Sequence, residues 1–190
     1  MPRLFTALKV PQHIAESLER LRGGIPNARW IDVENYHITL RFIGDVDDAF
    51  ARDCANALSL ISRQEISISL YQLNSFGGDR PKSIVALARP DGALLELQAE
   101  QERLLRRIGA APEQRKYTPH VTLARLRGAS PVSVAAYLGA RGYFPSLQFK
   151  ADEFVLYSSR SSVGGGPYIL EAEYPLSPAA PYVALRRQNA

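Results

Sequence analysis

Short runs in which every second residue is apolar alternate along this chain with longer stretches in which apolar residues fall three and four apart. A period of two marks strands with one buried face; a period near 3.6 marks helices with one buried stripe. Residues 3–10 read as a strand. Pro11 opens a helix to about residue 22, with Ile14, Leu18 and Leu21 at helical spacing, and Gly23-Gly24 ends it. Residues 29–33 are a short strand, and residues 36–43 are a second, stopped by Gly44-Asp45. A helix over 47–62 and a strand over 66–73 follow, the strand with Ile66, Ile68 and Leu70 on one face. Phe76-Gly77-Gly78-Asp79-Arg80-Pro81 is a turn, and 83–88 the next strand. Asp91-Gly92 caps a helix to about residue 108 that carries Leu94, Leu95, Leu97, Leu104 and Leu105. Residues 119–126 form a strand and 131–138 a short helix. Residues 147–157 pair with 168–174 as a hairpin across Gly164-Gly165-Gly166, and the tail after Pro175 is irregular.

Two of these strands carry nearly the same words. One reads Tyr36-His37-Ile38-Thr39-Leu40-Arg41, the other Pro119-His120-Val121-Thr122-Leu123-Ala124-Arg125, and they hold two of the chain's three histidines. Alternation puts His37 and Thr39 on one face and Ile38 and Leu40 on the other; His120 and Thr122 stand likewise against Val121 and Leu123. A histidine packed only for the core has no reason to recur with the same threonine two places on. The repeat and the order of elements predict an α+β fold of two pseudo-symmetric lobes, with mainly antiparallel sheets around a central cleft. Each lobe supplies one His-x-Thr strand, and residues 1–190 form a single bilobal domain.

That constellation has a chemistry. Histidine titrates near neutral pH, so one ring can take a proton from water while the other gives one to a departing oxygen. Threonine hydroxyls can donate to anionic oxygens, and their β-branch limits their freedom. An acid, a base and two such donors suit displacement at phosphorus without a metal. Arg41 alternates onto the His37 face and is a candidate phosphate ligand. Arg125 falls on the face opposite His120 unless the strand ends or bulges after Leu123. His13, in a first helical turn, reads as an exposed helix residue.

Composition narrows the alternatives. The chain has 190 residues, 46% of them hydrophobic, enough for a substantial core. Its net charge of +4 is compatible with an RNA or phosphate ligand without demanding one. Leu104-Leu105-Arg106-Arg107 and Arg186-Arg187 read as solvated positions rather than as a dense basic run. The one cysteine, Cys54, permits no internal disulfide and reads as a small core filler, which fits a reducing compartment. No apolar run approaches the ~20 residues that span a bilayer. The N-terminus has no signal-peptide core, so a cytoplasmic location is expected, with no obligate protein partner evident. No cluster of histidine and cysteine suits zinc, Gly164-Gly165-Gly166 lacks the lysine of a phosphate loop, and no Gly-x-Ser-x-Gly elbow is present.

At the two motifs the chain resembles the two-histidine (2H) phosphoesterase superfamily, and within it the RNA 2′,3′-cyclic phosphodiesterases, also called 2′-5′ RNA ligase-like proteins. Further segments share the likeness: residues 3–11, Trp30 through Gly44, Arg80 through Leu87, and Phe154 through Arg160 with Tyr168 beyond. The resemblance implies that His37 is the general acid and His120 the general base. It also implies that Thr39 and Thr122 hold the non-bridging oxygens and that Arg125 neutralises the phosphate. The substrates implied are RNA with 2′,3′-cyclic phosphate ends or small cyclic nucleotides, opened to a 2′-phosphomonoester with no cofactor and no metal. Reversible 2′-5′ RNA ligation is allowed by microscopic reversibility. An RNA- or nucleotide-binding module with the same cleft and no turnover is the alternative reading.

Overall fold

In the computed structural model, which describes residues 2–141, 143–159 and 166–178, the first part of the chain runs β1 (Arg3–Lys9), α1 (Gln12–Glu19), β2 (Arg29–Trp30), β3 (His37–Asp45), α2 (Asp48–Leu58) and β4 (Ile66–Phe76). It continues as β5 (Ser83–Ala88), α3 (Gly92–Arg107), β6 (His120–Arg125), α4 (Pro131–Ala140), β7 (Leu147–Ala151), β8 (Glu153–Ser159) and β9 (Tyr168–Pro175). The helix starts follow capping chemistry. Asp47 accepts from the Phe50 amide at 2.8 Å, Asp91 from Leu94 at 3.0 Å, and Ser130 from Ser133 at 3.1 Å with Pro131 at the first turn. Each such cap satisfies an amide that the helix cannot, worth about 1 kcal/mol.

The nine strands form one sheet in the order β7-β4-β5-β6-β3-β1-β8-β9, with β2 added against β6. Every pairing between named strands is antiparallel. The fold is α+β, as the pattern predicts. Its two halves are the four-strand sets β3-β1-β8-β9 and β6-β5-β4-β7, whose innermost strands β3 and β6 pair at Ile38↔Val121. The two histidine strands are therefore the innermost strand of each half and lie side by side.

The chain exchanges strands between the halves. After α2 it crosses to the second half as β4, and after β7 it returns to the first as β8 and β9. This corrects the expectation of one strand over 147–157. Leu147–Ala151 pairs with β4 at one end of the sheet, while Glu153–Ser159 pairs with β1 and β9 at the other, and Asp152 lies between. Apolar residues alternate at 147, 149 and 151 and then run together as Phe154-Val155-Leu156-Tyr157, so the pattern itself changes at this point. The helix expected over 47–62 stops at Leu58, and residues 33–35 form a 3₁₀ turn rather than the end of a strand. Gly164, Gly165, Arg160 and residues 179–190, with Arg186-Arg187, lie outside the described residues.

One core cluster draws on all four helices and on the strand residues opposite the histidines, including Ile38, Leu40, Val121, Leu123 and Cys54. A small second cluster, Phe5, Ala7 and Val155, packs with Tyr157 and Tyr168. Cys54 is fully buried, which pushes its thiol up to about 11, so it is a core filler with no thiolate character. Among the described residues, no helix is long and apolar enough to cross a membrane.

Candidate active site

The site is built by two bulged strands. On β3, Ala7↔Thr39 is followed by Thr6↔Arg41, so Leu40 is an extra residue. On β6, Val85↔Thr122 is followed by Ile84↔Ala124, so Leu123 is an extra residue. An inserted residue reverses which face the following side chains take. Leu40 with Arg41, and Leu123 with Ala124, are accordingly buried in consecutive pairs. The next residue on each strand, Phe42 and Arg125, turns back to the histidine face.

This places the expected residues differently. A cleft of about 400 Å³ is lined by His37, Thr39, His120, Thr122 and Arg125 together. Arg125 reaches it because the strand bulges at Leu123. Arg41 does not line it, and here the expectation is corrected. The bulge at Leu40 turns Arg41 to the other face, where it is 4% exposed and bonded to Glu102 and to the carbonyls of Phe42 and Ala111.

The two rings are held alike. His37 Nδ1 lies 2.8 Å from the Asn35 carbonyl, and His120 Nδ1 lies 2.7 Å from the Thr118 carbonyl. A carbonyl only accepts, so Nδ1 carries the proton in both neutral rings and Nε2 is left as the free base. His37 Nε2 receives the Thr39 hydroxyl at 3.1 Å. Their surroundings differ. Phe5, Tyr157 and Tyr168 surround His37 at ring separations of 5.2, 6.3 and 5.1 Å, whereas among the described residues His120 has one aromatic neighbour, Phe76, edge-on at 4.8 Å.

Among the described residues the cleft lining contains Arg3, Lys82, Arg115 and Arg125 and no carboxylate. Among the described residues neither Lys82 nor Arg125 has an ion-pair partner, whereas Arg3 is paired with Asp45 at 2.6 Å and Arg115 with Glu113 at 2.9 Å. Burial lowers both histidines, and nearby positive charge adds to it. His37 falls to about 4 through desolvation, with His120 and Arg125 contributing; His120 falls through desolvation, with Arg125 contributing. Both rings, lowered in this way, favour the neutral form at pH 7. A bound phosphate anion reverses the electrostatic part and favours the protonated ring. No group of three or more His, Cys, Asp or Glu among the described residues is placed to hold a metal ion.

Sequence reasoning missed several lining residues. Phe76 sits one residue before Gly77, whose φ of +113° and close approach to the Arg80 carbonyl admit no side chain. That turn aims Phe76 and Lys82 at the cleft, and Lys82 N donates to Phe76 O at 2.7 Å. β4 runs past Leu73 to Phe76, but Asn74-Ser75 interrupts the alternation, so the apolar pattern carries no signal for Phe76. Arg115, in the loop between α3 and β6, carries no periodic signal at all.

The sequence model of the 2′-5′ RNA ligase superfamily matches residues 10–162, a span that holds both motifs. The chain belongs to that superfamily. It is a phosphoesterase of the two-histidine class. It is 38% identical over 118 residues to an Aeropyrum pernix protein named RNA 2′,3′-cyclic phosphodiesterase, covering 59% of this chain and 67% of that one. An Aquifex aeolicus protein of the same name is 26% identical over 184 residues, 90% of this chain and 96% of its own. The fold matches Escherichia coli LigT complexed with 3′-AMP at a TM-score of 0.73 and 24% identity, over 93% of this chain and 99% of LigT. It also matches a Thermus thermophilus protein at 0.77 and 18% identity, over 94% and 100%. At these identities the two structures speak to the fold alone.

Proposed function

We propose that this superfamily member opens RNA 2′,3′-cyclic phosphate ends to 2′-phosphomonoesters by acid–base catalysis between His120 and His37, without a metal. The observation that carries the reading is the pairing of two imidazoles, each with Nδ1 tied to a carbonyl and Nε2 unprotonated, across a cleft lined, among the described residues, by cations and by no carboxylate. The sequence relatives named for this activity support the substrate class.

In this scheme water attacks phosphorus and passes its proton to His120 Nε2. The bond to the ribose 3′ oxygen breaks, and His37, protonated at Nε2 when the anion is bound, gives that oxygen its proton. The 2′ oxygen keeps the phosphate. The asymmetry of the cleft favours this division of labour. The ring packed among Phe5, Tyr157 and Tyr168 suits the side occupied by the organic leaving group, while the His120 ring, with Phe76 as its aromatic neighbour among the described residues, suits the side where water enters. Thr39 and Thr122 donate to the non-bridging oxygens, and Arg125 and Lys82 balance their charge. The same path run backwards, with a 5′-hydroxyl RNA end in place of water, forms a 2′-5′ bond. The test is conversion of a cyclic-phosphate-ended RNA in excess chelator; retained binding with no conversion would instead indicate a binding module.

A further inference from the structure

Arg41 is conspicuous because it lies on a cleft strand yet faces away from the cleft, 4% exposed. Its bonds are not those of an arginine that merely fills space. Nε meets the Glu102 carboxylate of α3, and one terminal nitrogen meets the Ala111 carbonyl at the start of the loop between α3 and β6. Glu102 in turn accepts from the Glu113 amide at 3.3 Å, two residues further along that loop. Glu113 then grips Arg115 three times, through the backbone amide at 3.1 Å, Nε at 3.0 Å and Nη2 at 2.9 Å. Arg115 lies over the Phe42 ring, 5.6 Å from its centroid, and lines the cleft beside both histidines.

The chain of contacts thus runs from the far face of the sheet, along the loop between α3 and β6, and back into the site over Phe42. The two carboxylates lie in the middle, Glu102 joined to Glu113 through the Glu113 backbone amide, and each has an arginine on its outer side. The Arg115 guanidinium holds the Glu113 carboxyl at about 2, so that pair stays ionised across the working range. With Nε and Nη2 engaged, Nη1 is the nitrogen left to donate elsewhere. A donor fixed on two sides binds an anion with less conformational entropy to lose than a free side chain has.

We propose that Arg41 is a positioning residue that acts through Glu102 and Glu113 to hold Arg115 at the cleft, where Arg115 binds a phosphate of the RNA strand other than the reacting one. The inference rests on the reading of the cleft as a site for cyclic-phosphate-ended RNA. Lys82 and Arg125 are the unpaired cations available to the reacting phosphate. Arg115, already neutralised by Glu113, contributes directed hydrogen bonds rather than net charge, so its effect falls on binding more than on turnover.

The test is a double-mutant cycle on the full chain with two probes. A labelled oligoribonucleotide ending in a 2′,3′-cyclic phosphate gives kcat and KM; the same strand ending in a 2′-phosphate gives Kd by fluorescence anisotropy. Arg115→Ala is expected to raise KM and Kd about tenfold and to change kcat less than about twofold. Arg41→Lys keeps a cation against Glu102 but loses the planar fork, and is expected to raise KM and Kd about threefold. In the Arg115→Ala background Arg41→Lys should have no further effect on either constant while still lowering Tm. A merely structural Arg41 would lower Tm and weaken binding equally in both backgrounds, which would overturn the proposal, as would an unchanged KM and Kd in Arg115→Ala. If Arg41→Lys does not fold, Glu113→Gln, a change in a loop residue, closes the same cycle with the same expectation. Binding that follows this cycle without turnover would count against the hydrolytic reading alone. Normal turnover with an additive cycle would count against this inference alone, and wild type that binds neither RNA would sink both.

Discussion

His37-Ile38-Thr39-Leu40-Arg41-Phe42 on β3 and His120-Val121-Thr122-Leu123-Ala124-Arg125 on β6 share a histidine, a threonine and a bulge at the fourth residue. At the sixth they part: one half puts a phenylalanine in the cleft and the other an arginine. The strand beside each follows suit, since Phe42 pairs with Phe5 and Arg125 pairs with Ser83. Tyr157 and Tyr168 thicken the aromatic half, and Lys82 joins the cationic one. Symmetric backbone geometry therefore delivers two equivalent rings, and the side chains around them make the rings unequal. On the proposed mechanism, this is what lets one repeated motif supply an acid and a base, the division of labour following from what surrounds each ring.

The comparison breaks most sharply at the rings. His37→Ala and His120→Ala should each lower kcat by roughly 10²–10⁴-fold with circular dichroism unchanged. The double variant should be little worse than either single one, because the rings act as a unit. Near-normal turnover in either single variant would remove the two-ring scheme.

The next largest effect lies at the sixth positions. Arg125→Met should cost about 10–100-fold in kcat/KM and flatten its dependence on salt, since an unpaired cation facing the anion is lost. Phe42→Leu, its counterpart, should cost less than about tenfold and leave the salt dependence intact. Equal losses at both positions would mean that the halves are not divided as described.

pH probes the inequality directly. Both rings are lowered in the free protein, so a profile needing one protonated and one neutral ring peaks between two values that both lie below 6.5. kcat/KM measured against pH should peak below 6.5 and fall on either side. A peak above 7 would contradict the desolvated geometry. Stability carries the same sign. Below about pH 6.5 the unfolded chain takes up a proton that folded His37 refuses until about 4. Its contribution is thus complete above 6.5 and is lost as pH falls through that window, by about 1.4 kcal/mol per pH unit. Chemical denaturation of wild type and His37→Asn at pH 7 and 5 should show a steeper loss in wild type.

The smallest effect is at the threonines. Thr39 already bonds the His37 ring at 3.1 Å, while no such bond joins Thr122 to His120. Thr39→Val should cost about tenfold in kcat/KM and Thr122→Val about threefold. An unchanged rate in Thr39→Val would make that hydroxyl structural.

Much of this molecule was legible in the chain. The apolar periods gave nearly every element, and Ser83–Ala88 agrees to the residue. The repeated motif identified the strands that meet at the centre. The failures share one physical origin, that alternation says which residues share a face only while pairing stays in register. A single inserted leucine sent Arg41 to the far side of the sheet and brought Phe42 in its place, and the matching insertion rescued Arg125. The strand exchange at Asp152 did leave a trace, since β7 alternates whereas Phe154, Val155 and Leu156 of β8 are buried in succession, but an apolar run on both sides of Asp152 also suits one continuous strand. Arg115 sits in a loop whose order comes from Arg41 and Glu102, distant in sequence, so no local pattern could have singled it out.

The central claim is that two unequal rings open a cyclic phosphate without a metal. The most direct measurement is incubation of an RNA ending in a 2′,3′-cyclic phosphate, in excess EDTA, with wild type, His37→Ala and His120→Ala, resolving 2′- from 3′-phosphate products. The account predicts conversion to the 2′-phosphate by wild type alone; conversion by either variant at the wild-type rate, or a wild-type reaction abolished by EDTA, would contradict it.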